Sequence, residues 1–507
     1  THNTDTPATV GNTPYPPHTE VTMNPATDTP TSVIVVGGGV TGLLTARRLC
    51  QAGLTTTLLE RSPRTGGQIH TTELNNLPID LGAESIHLAH PGMRELVDEL
   101  NLTPNLTGSR PGTSWLWTGT RRRPLPEGVG PAGPTKILPV LTSGILNIPA
   151  LARAGLEPLY AHLTGRIDLT PGHDISVGEF VTNRFGHAVT NAFVDPLLGS
   201  LHSGDVNRLS LRATSPALIP AATQGRSLLR RRQPKTTHTT TPLPMFASWP
   251  TGLSTLTNTL LRDTNVTVEL DANVTTLTRH TTETGTTTYT LTLSDERQLT
   301  ADAIVIATPA HTAANLIRPT TPTAAAILDN IETAHTATIV MAFPRHDVAH
   351  LPALNANGFL IPSAHAPLLK AGTHLDRKWA HLDDGKNTLF RLSVGRAGNN
   401  LLATLDDDAL IDQVLRDLHT LTGINTKPAM THIHRWKPGL PQLTVGHTDR
   451  ITAVRTDLAT SLPGVELAGA SYDGLGVGAC VTSANKAAQR LLKHLDITNT
   501  PAHTTQP

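Results

Sequence analysis

The first unbroken apolar run in the chain is Val33-Ile34-Val35-Val36, and the thirty residues before it carry almost no large apolar groups. Four consecutive apolar residues suit a strand covered on both faces of a parallel sheet. Gly37-Gly38-Gly39-Val40-Thr41-Gly42 follows, and then Leu43, Leu44, Ala46, Leu49 and Cys50 recur at helical spacing. Gly53 suits the left-handed position that ends a helix. Residues 55–60 read as a second strand, which completes a βαβ unit. Further strands are expected at 266–270, 288–293, 303–307, 338–343, 389–394 and 465–470. Helices are expected at 93–100, at 407–421 with Asp caps, at 481–495, and opening near Trp249.

These elements divide the chain. Nucleotide-type segments fall in three pieces, 31–90, 245–310 and 445–497, separated by two insertions. The stretch 91–244 mixes helical patches with Pro- and Gly-rich loops, the basic runs Arg121-Arg122-Arg123 and Arg230-Arg231-Arg232, and a Thr/His-rich linker at 236–241. It is expected to be a helical insertion that lines a substrate channel. The stretch 311–444 is richer in strands and is expected to bind substrate on a sheet. The fold class is therefore mixed α/β and α+β, with a discontinuous Rossmann-like dinucleotide domain. Residues 1–30 cannot offset their ordering entropy and read as a disordered tail.

Composition removes several functions. The 507 residues carry 40 basic and 40 acidic side chains, and aromatics make up only 3%. No global field recruits nucleic acid, and stacking platforms for single strands are absent. Cys50 and Cys480 are the only cysteines, too few for a disulfide framework. There is no signal-peptide pattern and no run of about 20 apolar residues, so a cytoplasmic protein without a membrane span is expected. The basic runs and the apolar stretch 137–151 keep one alternative open, a loose contact with the inner face of the membrane. Among 24 histidines, neither His346 with His350 nor His432 with His434 has a third ligand nearby, so no metal site is expected.

The strongest chemical signal is Gly37-x-Gly39-x-x-Gly42 between a strand and a helix. The first glycine permits the turn, the second admits a pyrophosphate, and the third lets helix meet strand. A diphosphate would then sit on the free N–H groups of the helix N-terminus. Glu60, 18 residues beyond Gly42, is placed to accept ribose hydroxyls. Arg64-Thr65-Gly66-Gly67-Gln68-Ile69 brings a second glycine pair to the same phosphates.

With Asp80-Leu81-Gly82-Ala83-Glu84-Ser85 and Gly469 to Ala479 added, the chain resembles the large FAD superfamily of amine oxidases, phytoene desaturases and porphyrinogen oxidases. Trp436-Lys437-Pro438-Gly439-Leu440-Pro441-Gln442, Arg377-Lys378-Trp379, Val394-Gly395-Arg396-Ala397-Gly398 and the segment from Phe193 to Asp205 narrow this. They resemble the FAD-dependent protoporphyrinogen/coproporphyrinogen oxidases of Gram-positive type. The resemblance implies non-covalent FAD contacted by Gly37, Gly38, Gly39, Val40, Thr41, Gly42, Glu60, Arg61, Arg64, Gly67, Gln68, Gly82, Ala83, Glu84, Ser85, Val274, Trp436, Gly476, Val477 and Gly478. It also implies oxidation of coproporphyrinogen III by dioxygen with release of peroxide, protoporphyrinogen IX being the alternative substrate. Lys378 is the candidate neighbour of a substrate propionate or of the flavin. The chain departs from the family pattern in Ala83-Glu84 for Pro-Asp, in Gly478 for Pro, and in lacking basic residues at 87–89. Rival readings are an amine or carotenoid oxidoreductase and a non-catalytic protein that keeps the fold.

Overall fold

The computed structural model describes residues 31–229, 243–366 and 368–497. The tail at 1–30, the Arg230–Arg232 run and the 236–241 linker lie outside them. The strands of the two principal sheets are, in chain order, β1 (Ser32–Val36), β2 (Thr55–Leu59), β3 (Ser114–Trp117), β4 (Arg122–Pro124), β5 (Thr267–Glu269), β6 (Ala303–Ile306), β7 (Thr333–Pro344), β8 (Gly358–Leu360), β9 (Leu369–His374), β10 (Asn387–Val394), β11 (Met430–Pro441) and β12 (Val465–Leu467).

The first sheet is wholly parallel, in the order β5-β2-β1-β6-β12. It draws strands from all three nucleotide-type pieces, and its central strands are apolar on both faces as their sequence requires. One face packs on helix α1 (Val40–Gln51), on Met93–Glu99 and on helix α2 (Val477–His494). The other face packs on Ala310–Ile317, Pro322–Asp329 and His447–Ser461. Burying each Val or Leu in such a core contributes about 1.5–3 kcal/mol. Gly53 takes φ +89, so the residue that stops α1 is one only glycine adopts freely.

The second sheet runs β11-β7-β10-β9-β8-β3-β4, antiparallel except where β8 meets β3. Helix Asp407–Thr422 covers one face, capped by the Asp406 carboxylate, which accepts from the Ala409 N–H at 2.8 Å. The opposite face carries Val340, Ala342 and Leu389 and looks toward Ile79 and Leu81 of the nucleotide side.

Three expectations are corrected. The stretch 91–244 is not purely helical: β3 and β4 join the second sheet, because Trp115 and Trp117 face its core while Leu116 faces the core of the insertion. The boundary at residue 310 cuts into a helix. Ala310–Ile317 and Pro322–Asp329 bury their Ala and Leu side chains in the nucleotide-side core, not beneath the second sheet. The last helix opens at Val477 rather than 481, since Gly476 (φ +96) supplies the turn and Gly478 is tolerated in the first helical turn. In the insertion Val140 is buried, whereas Leu138 and Ile148 are 68% and 82% exposed.

Candidate active site

The glycine turn is built by close approach. A Cβ on Gly42 would overlap the Gly37 carbonyl oxygen, and Gly37 itself has φ +109 against the Ala307 backbone. At Gly39, by contrast, a Cβ would meet nothing within 4 Å, so the turn opens outward there. The second glycine pair closes on the same spot. Gly66 N–H donates to the Gly38 carbonyl at 2.7 Å, and Gly67 lies against Gly39. No side chain caps the N-terminus of α1, and no acidic residue occupies its first turn. Its amide donors and positive end therefore remain for an anionic group.

Glu60 follows β2. Its carboxylate accepts from Gly38 N–H at 2.6 Å and from Ser62 N–H at 2.9 Å, which holds it at the rim of the turn. Val274 opens the strand Val274–Thr281, next to Ala272, whose N–H donates to the Glu60 carbonyl at 2.9 Å. Arg64 spends its guanidinium on the carbonyls of Thr65 and Gly67 at 3.1 and 2.9 Å, so it shapes the loop. Gln68 donates to Gly439 O at 3.1 Å and so joins this loop to β11. Arg61 stands exposed, apart from these contacts.

Gly82 unites three expected residues: a Cβ there would overlap Gln68 O and lie 3.4 Å from the Trp436 ring. Ala83 then packs on the nucleotide-side core, and Glu84 beside it meets Lys378 and Arg391 from the second-sheet side. Gly476 to Gly478 lie at the N-terminus of α2, beside α1. A Cβ at position 478 would run into the His90 ring, so Gly478 makes room for that histidine.

Glu84 is the charged hub of the cleft. The Lys378 ammonium donates to its Oε1, and Arg391 stands 3.6 Å from Oε2. Burial pushes this carboxyl up, but the two cations over-compensate and leave it below the ordinary range. Arg391 also donates to the carbonyls of Asp80 and Leu81 at 3.0 and 3.2 Å, fastening the second sheet to the Gly82 segment. Asp80 accepts from Thr71 Oγ at 2.5 Å and Leu253 N–H at 2.9 Å, and burial pushes it up to about 6. Beside Trp436, His434 and His70 meet edge to face with centroids 5.4 Å apart. Burial, then Arg64 and the neighbouring histidines, push His70 down to about 4.

Arg391 was not a candidate in the sequence reading, and Asp80 and His70 fell within or beside its motif segments without a role of their own. Arg391 did leave a signal: in Leu389-Phe390-Arg391-Leu392 a charge interrupts an otherwise buried strand. Among the described residues there is no group of three metal-ligating side chains, and no helix is long and apolar enough to cross a membrane.

Residues 40–492 match the family model described as flavin containing amine oxidoreductase. The chain belongs to this family. It is an FAD-dependent oxidase, and the outward-facing Gly39 and the uncapped helix behind it fit that cofactor. Coproporphyrinogen III oxidase of Bacillus subtilis is 30% identical over 475 residues, covering 91% of this chain and 98% of the relative. The Mycobacterium tuberculosis protein of the same name is 31% identical over 478 residues, covering 92% and 99%. A solved structure, a putative protoporphyrinogen oxidase from Exiguobacterium, superposes with a TM-score of 0.79 at 28% identity, covering 92% and 99%. Each of these covers 91–92% of this chain, so the FAD fold and the Gram-positive porphyrinogen-oxidase resemblance extend over nearly all of it.

Proposed function

We propose that this flavoenzyme oxidises coproporphyrinogen III to coproporphyrin III in heme biosynthesis, with dioxygen as acceptor and hydrogen peroxide as by-product. The observation that carries the reading is end-to-end similarity to proteins named for that reaction, together with a complete nucleotide cradle. Six hydrogens leave the macrocycle in three two-electron steps, each matched by reduction of one dioxygen to one peroxide. Bound FAD supplies the two-electron acceptance.

The chain's residues supply position and charge. Backbone at Gly37 to Gly42 and Gly67 would hold the diphosphate, and Glu60 and Val274 would serve the ribose and adenine. Arg64 and Gln68 brace the second loop, and Arg61 is the outermost of the set. Gly82 to Ser85, Trp436 and Gly476 to Gly478 would hold the flavin ring system. Burial pushes the Cys480 thiol up, which keeps it protonated and unreactive and supports a non-covalent cofactor. Lys378 is held against Glu84, so it acts as a positioning cation at the cleft. The outward apolar faces at Leu138 and Ile148 support a peripheral contact with a bilayer; failure to sediment with anionic vesicles argues against it.

The Exiguobacterium structure favours a second reading, protoporphyrinogen IX as substrate. Steady-state oxidation of the two porphyrinogens, followed by porphyrin fluorescence, decides between them. Higher kcat/KM for coproporphyrinogen III supports the proposal, and the reverse order transfers the enzyme to the second substrate.

A further inference from the structure

Where the short helix Ser200–His202 ends, Ser203 turns with φ +51, an uncommon conformation for a residue bearing a side chain. The turn is tied to the second sheet. Ser203 O accepts from Ala397 N–H at 2.7 Å, Gln442 donates to His202 O at 3.0 Å, and Ser200 Oγ donates to Lys370 O at 3.5 Å. Under it lies Lys370, on β9 where the pairing with β10 slips between Leu369 and Ala371. Lys370 is 2% exposed, and its ammonium donates to Ser203 Oγ.

Arg396 follows β10 and is 7% exposed. One of its N–H groups donates to Ile361 O at 2.9 Å, while Nε and Nη1 have no partner. Among the described residues neither cation is ion-paired. The carboxylate whose field reaches Arg396 is Asp195, and its Oδ2 is engaged by Ser363 N–H at 2.6 Å. Two buried cations that repel each other and keep donors unfilled are costly unless an anion joins them.

We infer that Lys370, Ser203 and Arg396 form a carboxylate subsite that takes one carboxylate arm of the substrate. The inference rests on the porphyrinogen reading, since that substrate carries several such arms. One carboxylate oxygen replaces the Ser203 hydroxyl as acceptor of the ammonium, and the other takes the free N–H groups of Arg396. Such charge-assisted bonds in an enclosed site are strong and geometrically selective.

The site carries its own pH signature. Burial, with added repulsion from Arg396 and Arg391, pushes Lys370 down to about 7. The groups facing it are Arg391 and Arg396 from the β10 side, Asp195 beyond Arg396, and His202 in the turn. Burial pushes His202 down to about 4, so it stays neutral through the relevant range. A bound carboxylate favours the ammonium. Above about pH 7 the free protein therefore loses a proton that the complex retains, and binding weakens as pH rises.

The test is a fluorescence titration of FAD-loaded protein with coproporphyrin III, the tetracarboxylate product, between about pH 6.5 and about pH 8.5. Wild-type protein is expected to bind more weakly at the upper end. Lys370→Met is expected to weaken binding about tenfold or more at the lower end and to abolish the pH dependence. Its melting temperature is expected to hold or rise, because an unpaired buried cation has gone. Arg396→Gln is expected to weaken binding while keeping the pH dependence. A Lys370→Met protein that binds like wild type, or that only melts earlier, overturns the subsite alone. A wild type that binds no coproporphyrin III overturns the subsite and the porphyrinogen reading together.

Discussion

At the nucleotide cradle the working parts are backbone amides and absent Cβ atoms, at Gly37, Gly39, Gly42, Gly67 and Gly476. Across from it, on β9, on β10 and in the segments that follow each, the working parts are side-chain charges: Lys370, Lys378, Arg391 and Arg396, with Glu84 facing two of them. A cradle made of backbone leaves little room for side chains, since a Cβ on Gly42 would meet the Gly37 carbonyl oxygen. A face built from long side chains such as Lys370 and Arg396 is set instead by which charges stand on it.

The largest expected effect lies on the charged side. Glu84→Gln leaves Lys378 and Arg391 facing each other without a carboxylate, which should cost about 3–5 kcal/mol, read by chemical denaturation. A loss below about 1 kcal/mol would mean the cluster is solvated and the contrast overstated. On the cradle side, Gly42→Ala drives a methyl into the Gly37 carbonyl and should cost about 1–3 kcal/mol. It should also release flavin on desalting, measured by absorbance of the protein fraction. Retained flavin would show that the turn yields.

That asymmetry also governs how much could be read from the sequence. The cradle was legible because its demands are local: Gly37 to Gly42, Glu60 and Gly67 fall within 31 residues, and glycine spacing states the turn directly. The strands β1, β2 and β6 were legible for the same reason, as apolar runs. The charged face was not. Lys378 meets Glu84 across 294 positions, and Arg391 reaches Asp80 O across 311. Motif resemblance drew attention to Lys378 and to the segment holding Arg396, but no spacing rule pairs either with its neighbours. Nor did periodicity reveal that Trp115 and Trp117 belong to the substrate sheet, because three- and four-residue strands carry too few alternations.

The smallest expected effect sits at the seam between the regions. Asp80 holds its proton up to about pH 6 in the folded chain, whereas the unfolded carboxyl releases it near 3.8. Between those values the folded state keeps a proton that the unfolded state has lost, so stability falls as pH rises through the window. Relative to Asp80→Asn, the wild type should gain about 1–2 kcal/mol as pH drops from about 7 to about 4. Parallel melting curves for the two proteins would show instead that Asp80 is ionised throughout.

The central claim is that the cradle and the charged face together serve one electron transfer, from a polycarboxylate porphyrinogen to bound FAD. Anaerobic mixing of the flavin-loaded enzyme with coproporphyrinogen III tests it in a single turnover. The account predicts loss of oxidised-flavin absorbance faster than with protoporphyrinogen IX, followed by its return when air is admitted. Flavin that stays oxidised with both porphyrinogens, in protein that retains its FAD, would contradict it.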